Sequence, residues 1–454
     1  MITGKKIAIV GFGIEGVSCA NYLGARNQIF IIDQKSKDQI DGDLWKKLKI
    51  ENIKFFWGSR VPKGLDVDFI VRSPGVRLDS TVIKKLLGKK TKVTTPTNIF
   101  FDKCPCPMIA VTGTKGKGTT ATLIYKILKE KFKDVFLAGN IGTSALDILP
   151  KLKKDSLAVL ELSSFQLLDL KKSPHLAVIL MVTTEHLDWH KDRQEYVDAK
   201  KPIVSFQKEK DFAVVNFDFE NSAKITIGIK SKIYYFSAIR RTSGVYLKGK
   251  KIISEIGQVE QICDIAKIQL PGKHNLQNVL AAVAVAKIYS VKNDDIVKVL
   301  ATFKGLEHRL ELVGEKNKIQ FYNDSFSTTP ETTIAAIESF KNKKVLILGG
   351  SSKKSDFSAL SKKIITDKSI TALVLIGKEA KRIENSIKAN RNFKGPILKG
   401  AKNMKEIVRI AFKIAKPGEI VLFSPACASF DMFKNYKDRG EQFIKEVRSL
   451  RSTI

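Results

Sequence analysis

Residues 108–123, MIAVTGTKGKGTTATL, constrain the fold of this chain more than any other stretch. The apolar, β-branched segment MIAVT predicts a short buried strand. Gly113, Gly116 and Gly118 then open a tight loop, and apolar residues recur at helical spacing from Thr119 onward. Backbone N–H groups at the start of such a helix face phosphate groups, and a loop lysine reaches their outer oxygens. The stretch therefore predicts a phosphate-binding loop between a strand and a helix.

The loop departs from the usual pattern G-x-x-x-x-G-K-[ST]. Read from Gly113 it is shorter, and Gly118 stands where a hydroxyl residue is expected. We therefore assign Lys117 to the β- and γ-phosphates, Thr119 to a magnesium ion, and Lys115 to an additional positive charge. A glycine-rich turn with incidental lysines is the alternative, but the flanking strand and helix favour a phosphate site.

A second glycine pattern follows the first strand, KIAIV. The segment GFGIEG, with Gly11, Gly13 and Gly16, precedes a helical pattern, and Asp33 ends the next strand, IFIID. This arrangement is typical of nucleotide-binding α/β domains, and it leaves an NAD-dependent oxidoreductase open as an alternative. The first unit is expected to end near residue 97, where TTPTN predicts a linker.

Strands followed by polar residues recur along the rest of the chain. VFLAGNIG, LAVLELSSFQL and LAVILMVTTEHLDWH predict strands of a middle unit, and a helix is expected near 193–206. From about residue 305, KVLILGGSSKKSDF, TALVLIGK and EIVLFSPACASF repeat the pattern. Open α/β sheets bind ligands at the carboxyl ends of their strands, where these polar residues lie. The sequence predicts an α/β fold of three tandem domains, at 1–97, 98–304 and 305–454.

Charge and cysteine content bear on the partners. The formal net charge is +33, but the lysines are spread along the chain and are not interleaved with aromatics in one basic segment. Solvated faces are therefore favoured over nucleic-acid binding, and a basic field also suits polyanionic substrates. The five cysteines are scattered, and Cys104-Pro105-Cys106 lacks the second pair that zinc would need. With no signal peptide and no apolar run long enough for a membrane, we expect a cytoplasmic protein without membrane insertion.

Nine segments in order resemble the Mur ligases of peptidoglycan synthesis, over Val10 to Phe443. They are GTKGKGTT, GNIG, LELSSFQL, HLDWH, LPGKHNLQN, EHR, YNDS, LGGSSKKSDF and SPACASFDMFKNYKDRG. LELSSFQL and SPACASFD are most similar to members that add D-glutamate to UDP-N-acetylmuramoyl-L-alanine. The resemblance implies a monomeric ATP-dependent ligase that forms an acyl phosphate. It also implies a Rossmann-like N-terminal domain for the UDP-substrate, a central P-loop ATPase domain, and a Rossmann-like C-terminal domain for the amino acid.

The resemblance further implies roles for residues that match family motifs. The implied ATP contacts are Gly113, Thr114, Lys115, Gly116, Lys117, Gly118, Thr119, Thr120, Asn275, Asn278, Arg309 and Asp324. The implied UDP-substrate contacts are Gly13, Ile14, Glu15, Asp33, Ser73, Pro74, Gly75, Asn140, Ser163 and Gln166. The implied D-glutamate contacts are Lys353, Thr328, Ser429 and Tyr436. The implied ligands of two magnesium ions are Thr119, Glu161, His186 and Lys200, the last as a carbamate. Lys117, Asn140, His186 and Lys200 are the implied catalytic residues.

Three departures from the family pattern concern substrate contacts. Phe326 stands where a lysine is usual in N-D-S-K-A-T, Met181 replaces an asparagine, and Gly118 gives a loop similar to that of folylpolyglutamate synthases. Another amide ligase of the Mur or folylpolyglutamate type is therefore the alternative function. The readings of His186 as a structural histidine and of Lys200 as a surface lysine also stay open. Cys427 is interpreted as a packing residue, because the implied reaction needs no thiol nucleophile.

Overall fold

The computed structural model describes residues 2–40, 42–183, 189–270, 272–352, 355–389 and 393–450, with the side chains of Lys273 and His274 left aside. The chain divides into two compact units. The first comprises residues 1–267 and 276–301, and the second comprises residues 268–275 and 302–454. No helix in the described ranges is long and apolar enough to cross a membrane.

The first sheet of the first unit is parallel throughout, in the order β3-β2-β1-β4-β5 for its described strands. Its central strands are apolar on both faces, as expected for a parallel sheet covered by helices. The elements are β1 Lys6–Val10, α1 Ile14–Gly24, β2 Gln28–Asp33, the 3₁₀ turn Lys37–Gln39, α2 Gly42–Lys47, β3 Ile53–Trp57, β4 Phe69–Arg72, α3 Thr81–Leu86, β5 Lys92–Thr94 and α4 Pro96–Lys103.

The linker predicted at TTPTN is wrong. Thr94 ends β5, and the Thr95 side chain accepts a hydrogen bond from the Asn98 backbone N–H at 3.1 Å, which caps α4. Pro96 occupies the first turn, where its missing N–H costs nothing and its fixed φ suits a helix. The segment is a helix start that is buried against the first unit.

The second sheet belongs to the first unit too, and its described strands run in the order β14-β13-β12-β11-β10-β9-β6-β8-β7. It is parallel from β7 to β12, and β12–β13–β14 form an antiparallel edge. Its strands are β6 Met108–Thr112, β7 Val135–Gly139, β8 Leu157–Glu161, β9 Leu176–Ile179, β10 Phe212–Asn216, β11 Lys232–Ser237, β12 Val245–Lys248, β13 Lys251–Ser254 and β14 Glu260–Asp264. The helices along this stretch are α5 Lys117–Lys131, α6 Ala145–Ile148, α7 Ser164–Leu167, α8 Arg193–Asp198, α9 Pro202–Ser205, α10 Glu220–Lys224, α11 Lys273–Ile288 and α12 Asn293–Thr302, with 3₁₀ turns at Leu149–Lys151 and Ile265–Lys267.

The single helix expected near 193–206 is two short helices, α8 and α9. Pro202 is the first residue of α9, and proline lacks the N–H that a helix interior needs. Lys200 consequently lies in the connection between the two helices.

The sheet of the second unit has the order β15-β16-β20-β17-β18-β19 among its described strands. It is parallel except for β15, which pairs antiparallel with β16. The elements are β15 Glu311–Lys316, β16 Ile319–Asn323, α13 Pro330–Glu338, β17 Lys344–Gly349, α14 Ser358–Thr366, β18 Ile370–Ile376, α15 Ala380–Ala389, β19 Ile397–Leu398, α16 Met404–Ile414, β20 Ile420–Phe423 and α17 Tyr436–Ser449. Three successive α/β sheets confirm the predicted fold class, while the exact domain boundaries stay a prediction.

Candidate active site

The phosphate loop leaves an inner strand of the second sheet. Strand β6 pairs with β8 on one side and β9 on the other, and α5 begins at Lys117. Gly113 and Gly116 have φ of +154° and +88°, a region that disfavours other residues. A Cβ on Gly116 would lie 2.2 Å from Asn278 Oδ1, and one on Gly113 would lie 2.8 Å from Leu180 Cβ. Both positions therefore require glycine.

Hydrogen bonds hold the loop in shape. Lys117 Nζ donates to the carbonyls of Gly113 at 3.1 Å and Thr114 at 3.0 Å. The Thr114 hydroxyl oxygen accepts bonds from the Thr183 N–H at 2.9 Å and the Tyr196 hydroxyl at 3.0 Å. The ammonium of Lys117 thus lies over the loop, held by two of the loop's backbone carbonyls.

Two threonines follow in the first turn of α5. Thr119 and Thr120 are buried, and Thr120 Oγ1 donates to Asn278 Oδ1 at 3.2 Å. Asn278 lies on α11 and therefore ties that helix to the loop. Lys115 is half-buried in the loop.

Glu161 ends β8, directly beside the strand that leads into the loop. It pairs in register with Val111 of β6 and with Gly139 of β7. It is 6% exposed, and Asn140 Nδ2 donates to its Oε1 at 3.2 Å. A carboxylate therefore lies at the carboxyl edge of the sheet, next to the phosphate loop.

Lys200 is buried, with 1% of its surface exposed. Its Nζ lies 4.3 Å from the centroid of the Tyr196 ring, and the Tyr196 hydroxyl contacts Thr114 of the phosphate loop. Lys201 instead has a half-exposed side chain that forms an ion pair with Asp198 at 2.7 Å. His186, the other predicted metal ligand on this side, lies outside the described residues.

The glycine loop after β1 and the turn after β4 lie together. Asp33 Oδ2 accepts from the Phe12 N–H at 2.6 Å, and Ser73 Oγ donates to the Gly11 carbonyl at 3.0 Å. Asp33 Oδ1 also accepts from the Lys35 N–H at 2.8 Å. The Asp33 carboxylate therefore stabilises the loop itself, and it shapes the place where a nucleotide is expected.

Glu15 at the start of α1 reaches the second sheet. Its carboxylate accepts from Ser144 Oγ and Gln166 Nε2, each at 3.1 Å. Burial raises the pKa of Glu15, although both hydrogen bonds act in the opposite direction. Gln166 and Ser163 also form the capping box of α7, so the predicted UDP-substrate residues of the two sheets are directly connected. Ile14 beside Glu15 is 46% exposed.

Arg72 was missed by sequence reasoning. Its buried guanidinium forms an ion pair with Asp169 at 2.5 Å and donates to the carbonyls of Pro74, at 3.0 Å, and of Val76. Trp189 Nε1 donates to the Gly75 carbonyl at 3.0 Å. These contacts fix the Ser73–Gly75 turn. The signal that could have revealed Arg72 is a charged residue that ends an apolar strand directly before S-P-G.

In the second unit, Asp324 follows β16 and is buried. Its carboxylate accepts from the Ser424 hydroxyl at 2.7 Å and the Leu310 N–H at 3.2 Å. Burial raises the pKa of Asp324 to about 6. The Arg309 guanidinium lies 4.3 Å from the centroid of the Phe326 ring, a cation–π contact that the usual family lysine could not make. Asn275, at the edge of this unit, is buried.

A second buried arginine, Arg439, joins two segments that lie next to predicted D-glutamate residues. Arg439 donates to Ser325 Oγ at 2.9 Å and to the carbonyls of Cys427 and Ala428, and burial lowers its pKa to about 10. It thereby joins the segments YNDS and SPACAS. Ser429 is buried, and the Tyr436 ring packs 5.2 Å from the Phe326 ring. Thr328 follows YNDS, and Lys353 lies outside the described residues.

Known families match the chain along most of its length. Residues 5–95 match the model described as Mur ligase MurD-like, N-terminal domain. Residues 111–286 match the Mur ligase middle domain, and residues 308–427 match the Mur ligase, glutamate ligase domain.

Curated relatives extend over the whole chain. A protein of Acetivibrio thermocellus named UDP-N-acetylmuramoylalanine–D-glutamate ligase is 40% identical, over 99% of this chain and 97% of its own length. A protein of the same name from Clostridioides difficile is 36% identical, over 99% of this chain and 100% of its own length.

Solved structures are similar in fold. The UDP-N-acetylmuramate-alanine ligase MurC of Thermotoga maritima superposes with a TM-score of 0.61 at 18% identity, covering 98% of this chain and 99% of its own. The MurF ligase of Thermotoga maritima in complex with ADP gives a TM-score of 0.58 at 18% identity, covering 93% and 96%. At such identities the likeness concerns the fold alone.

Proposed function

The chain belongs to the Mur ligase family, and from this premise we propose that it joins D-glutamate to UDP-N-acetylmuramoyl-L-alanine with ATP, during cytoplasmic assembly of peptidoglycan precursors. The observation that carries the proposal is the 40% identity, over 99% of the chain, to a relative named for that reaction. Identity of this extent includes all three sheets and both units.

The reaction needs activation of a carboxylate. The alanyl carboxylate attacks the γ-phosphorus of ATP, ADP leaves, and an acyl phosphate forms. The amine of D-glutamate then attacks the acyl carbon, phosphate leaves, and the amine loses a proton to give the amide. Both partners of the first step are anionic, so positive charge must surround them. Lys117 over the phosphate loop supplies that charge at the β- and γ-phosphates.

The described residues fit magnesium. Thr119 offers a hydroxyl in the first turn of α5, and Glu161 offers a carboxylate beside β6. Both are hard oxygen donors, and magnesium takes few protein ligands because substrate phosphates and water complete its shell. Within the described ranges no three His, Cys, Asp or Glu side chains gather as a metal cluster. When bound, the ion would neutralise charge on the γ-phosphate, with the Lys200 carbamate and His186 as its further predicted partners.

Each substrate would be held by its own set of predicted residues. The turn Ser73–Gly75 and the loop around Gly13 would hold the UDP group, and Asn140 would lie near the alanyl carboxylate and the transferred phosphate. Ser429, Tyr436 and Thr328 would hold D-glutamate together with Lys353. Asn275, Asn278, Arg309 and Asp324 would contact the nucleotide.

The test is ADP release by the whole protein, with UDP-N-acetylmuramoyl-L-alanine, ATP and magnesium and a panel of single amino acids. D-Glutamate should give turnover, and L-glutamate, glycine and D-alanine should give little. ADP release that requires a folate, or that occurs without the muramyl nucleotide, would contradict the proposal.

The variant Lys117→Ala tests whether the phosphate loop is the ATP site. It removes the charge next to the phosphates, and we expect kcat to fall by roughly 10²- to 10³-fold, since a preorganised charge partner of the transition state is lost. Lys115→Ala removes a neighbouring loop charge and should cost much less. A near-normal kcat for Lys117→Ala would show that the loop is not the ATP site.

A further inference from the structure

Two cysteines outside the candidate active site lie in direct contact. Cys104 and Cys106 flank Pro105, and their Sγ atoms are 3.6 Å apart. Cys104 is half-buried and Cys106 is buried. The chain's other cysteines, Cys19, Cys263 and Cys427, are all buried, and the structure gives none of them a sulfur contact with another cysteine.

The backbone holds this pair in place. The Cys104 N–H donates to the Phe100 carbonyl at 2.8 Å and ends α4, while Ala158 N–H donates to the Pro107 carbonyl at 3.2 Å beside β6. Pro105 between the two cysteines has a fixed φ, which restricts the segment further. The two sulfurs therefore meet because the backbone on either side is anchored. To form a disulfide they must approach by about 1.5 Å.

We propose that Cys104 and Cys106 are a peroxide-reactive thiol pair that forms a reversible intramolecular disulfide. Zinc is not the favoured ligand, since no third His, Cys, Asp or Glu side chain joins the pair among the described residues. Disulfides in reducing compartments are usually transient and redox-sensing, in keeping with such a pair.

The two thiols are suited to different roles. The contact between the two thiols lowers the pKa of Cys104, and the same contact together with burial raises the pKa of Cys106. Cys104 is the more exposed of the two and is therefore assigned as the thiol that meets peroxide, and the buried Cys106 is assigned as the thiol that resolves the product.

The chemistry balances with hydrogen peroxide as the oxidant. The Cys104 thiolate attacks one peroxide oxygen, the O–O bond breaks, and a sulfenic acid and hydroxide form. Cys106 loses its proton to that hydroxide and attacks the Cys104 sulfur, the S–O bond breaks, and the disulfide and a second hydroxide form. That hydroxide takes up the proton that Cys104 had released. In sum, two thiols and one peroxide give one disulfide and two waters.

The experiment treats the folded, fully reduced protein with hydrogen peroxide, quenches it by alkylation in denaturant, and analyses the peptide that contains residues 104–106. We expect that peptide to lose two hydrogens and to resist alkylation until dithiothreitol is added. Oxidation of these two thiols should be at least roughly tenfold faster than oxidation of the buried Cys19.

Two variants make the assignment specific. Cys106→Ser should stop the reaction at the sulfenic acid, so that dimedone labels Cys104. Cys263→Ser is the matched control, and it should leave the disulfide yield unchanged. Persistence of both thiols under conditions that oxidise the unfolded chain would overturn the proposal. A dimedone adduct or sulfinic acid on Cys104 of the unsubstituted protein, without a disulfide, would overturn it as well.

Discussion

Lys200 shows how an unusual environment suggests chemistry at a single residue. Lysines are rarely buried, yet this one is 1% exposed and contacts Tyr196, which bonds to the phosphate loop. A carbamate on this amine would carry two oxygens on a long arm, a suitable support for magnesium, and we predict that modification for this residue.

We expect Lys200→Ala to lose most activity, and a small carboxylic acid such as acetate or formate to restore part of it. The added carboxylate would replace the oxygens of the carbamate. Lys201→Ala is the matched control, since Lys201 is paired with Asp198 at the surface and should keep near-normal turnover. A carbamate signal from protein equilibrated with ¹³C-bicarbonate should be absent from Lys200→Ala. Full activity of Lys200→Ala would contradict the prediction.

Asp324 predicts a pH dependence of stability. Burial raises its pKa from 3.8 to about 6, so the folded protein holds a proton that the unfolded chain has released in this range. The free energy of unfolding should therefore fall as pH rises from about 4 to about 6. For a single group, a pKa difference of this size changes the free energy of unfolding by roughly 3 kcal/mol.

Asp324→Asn removes this titration. Urea melts at pH 4 and pH 7 give the free energy of unfolding of the unsubstituted protein and of the variant. Between these pH values, the unsubstituted protein should lose about 3 kcal/mol relative to the variant. The same difference at both pH values would show that the Asp324 carboxylate is not held in a raised-pKa environment.

Arg72 and Arg439 mark the limit of sequence reasoning at the residue scale. Arg72 is 97 residues from its partner Asp169, and Arg439 is 114 residues from Ser325. No local pattern encodes such pairs, because they depend on which loops the sheets bring together. The glycines and Lys117 could be identified because their requirement is local.

At the scale of elements, the junction between the phosphate loop and α5 is tightly constrained. Gly116→Ala would place a methyl group 2.2 Å from Asn278 Oδ1 at a φ of +88°. We expect a loss of roughly 1–3 kcal/mol of stability and a marked rise in KM for ATP, because the loop backbone must shift. Thermal melts and ADP-release kinetics measure the two effects.

The variant Gly249→Ala separates the effect of backbone strain from the effect of the contact with Asn278. It also has a positive φ, +61°, but nothing lies within 4 Å of its Cβ position. It should cost some stability and leave KM for ATP unchanged. Equal effects of the two variants on KM would contradict the importance of the Asn278 contact.

The elements themselves were largely predictable, since strand, polar turn and helix alternate in the sequence. The errors have local causes. Pro202 starts a new helix and splits the one expected near 193–206, and Thr95-Pro96 starts a helix where a linker was expected. Antiparallel β15 was not predicted, because its sequence ELVGEK does not alternate clearly between apolar and polar residues.

At the scale of the whole molecule, the chain passes between the two compact units at residues 267/268, 275/276 and 301/302. The residues proposed for the phosphates and magnesium belong to the first unit, and those proposed for D-glutamate belong to the second. The reaction requires both substrates at one place, so a ligand-dependent closure follows from the proposed function. Gly305, with a φ of +112°, lies close to the last passage, where we predict the hinge.

Small-angle scattering should detect that closure. We expect the radius of gyration to fall when a non-hydrolysable ATP analogue, magnesium, UDP-N-acetylmuramoyl-L-alanine and D-glutamate are added together, and to change less with any one of them. Lys117→Ala should show a weaker response at the same ligand concentrations, because its phosphate contact is lost. If the radius of gyration is unchanged with the complete set while equilibrium dialysis shows the ligands bound, the two units do not close, and the predicted hinge near residue 305 is wrong.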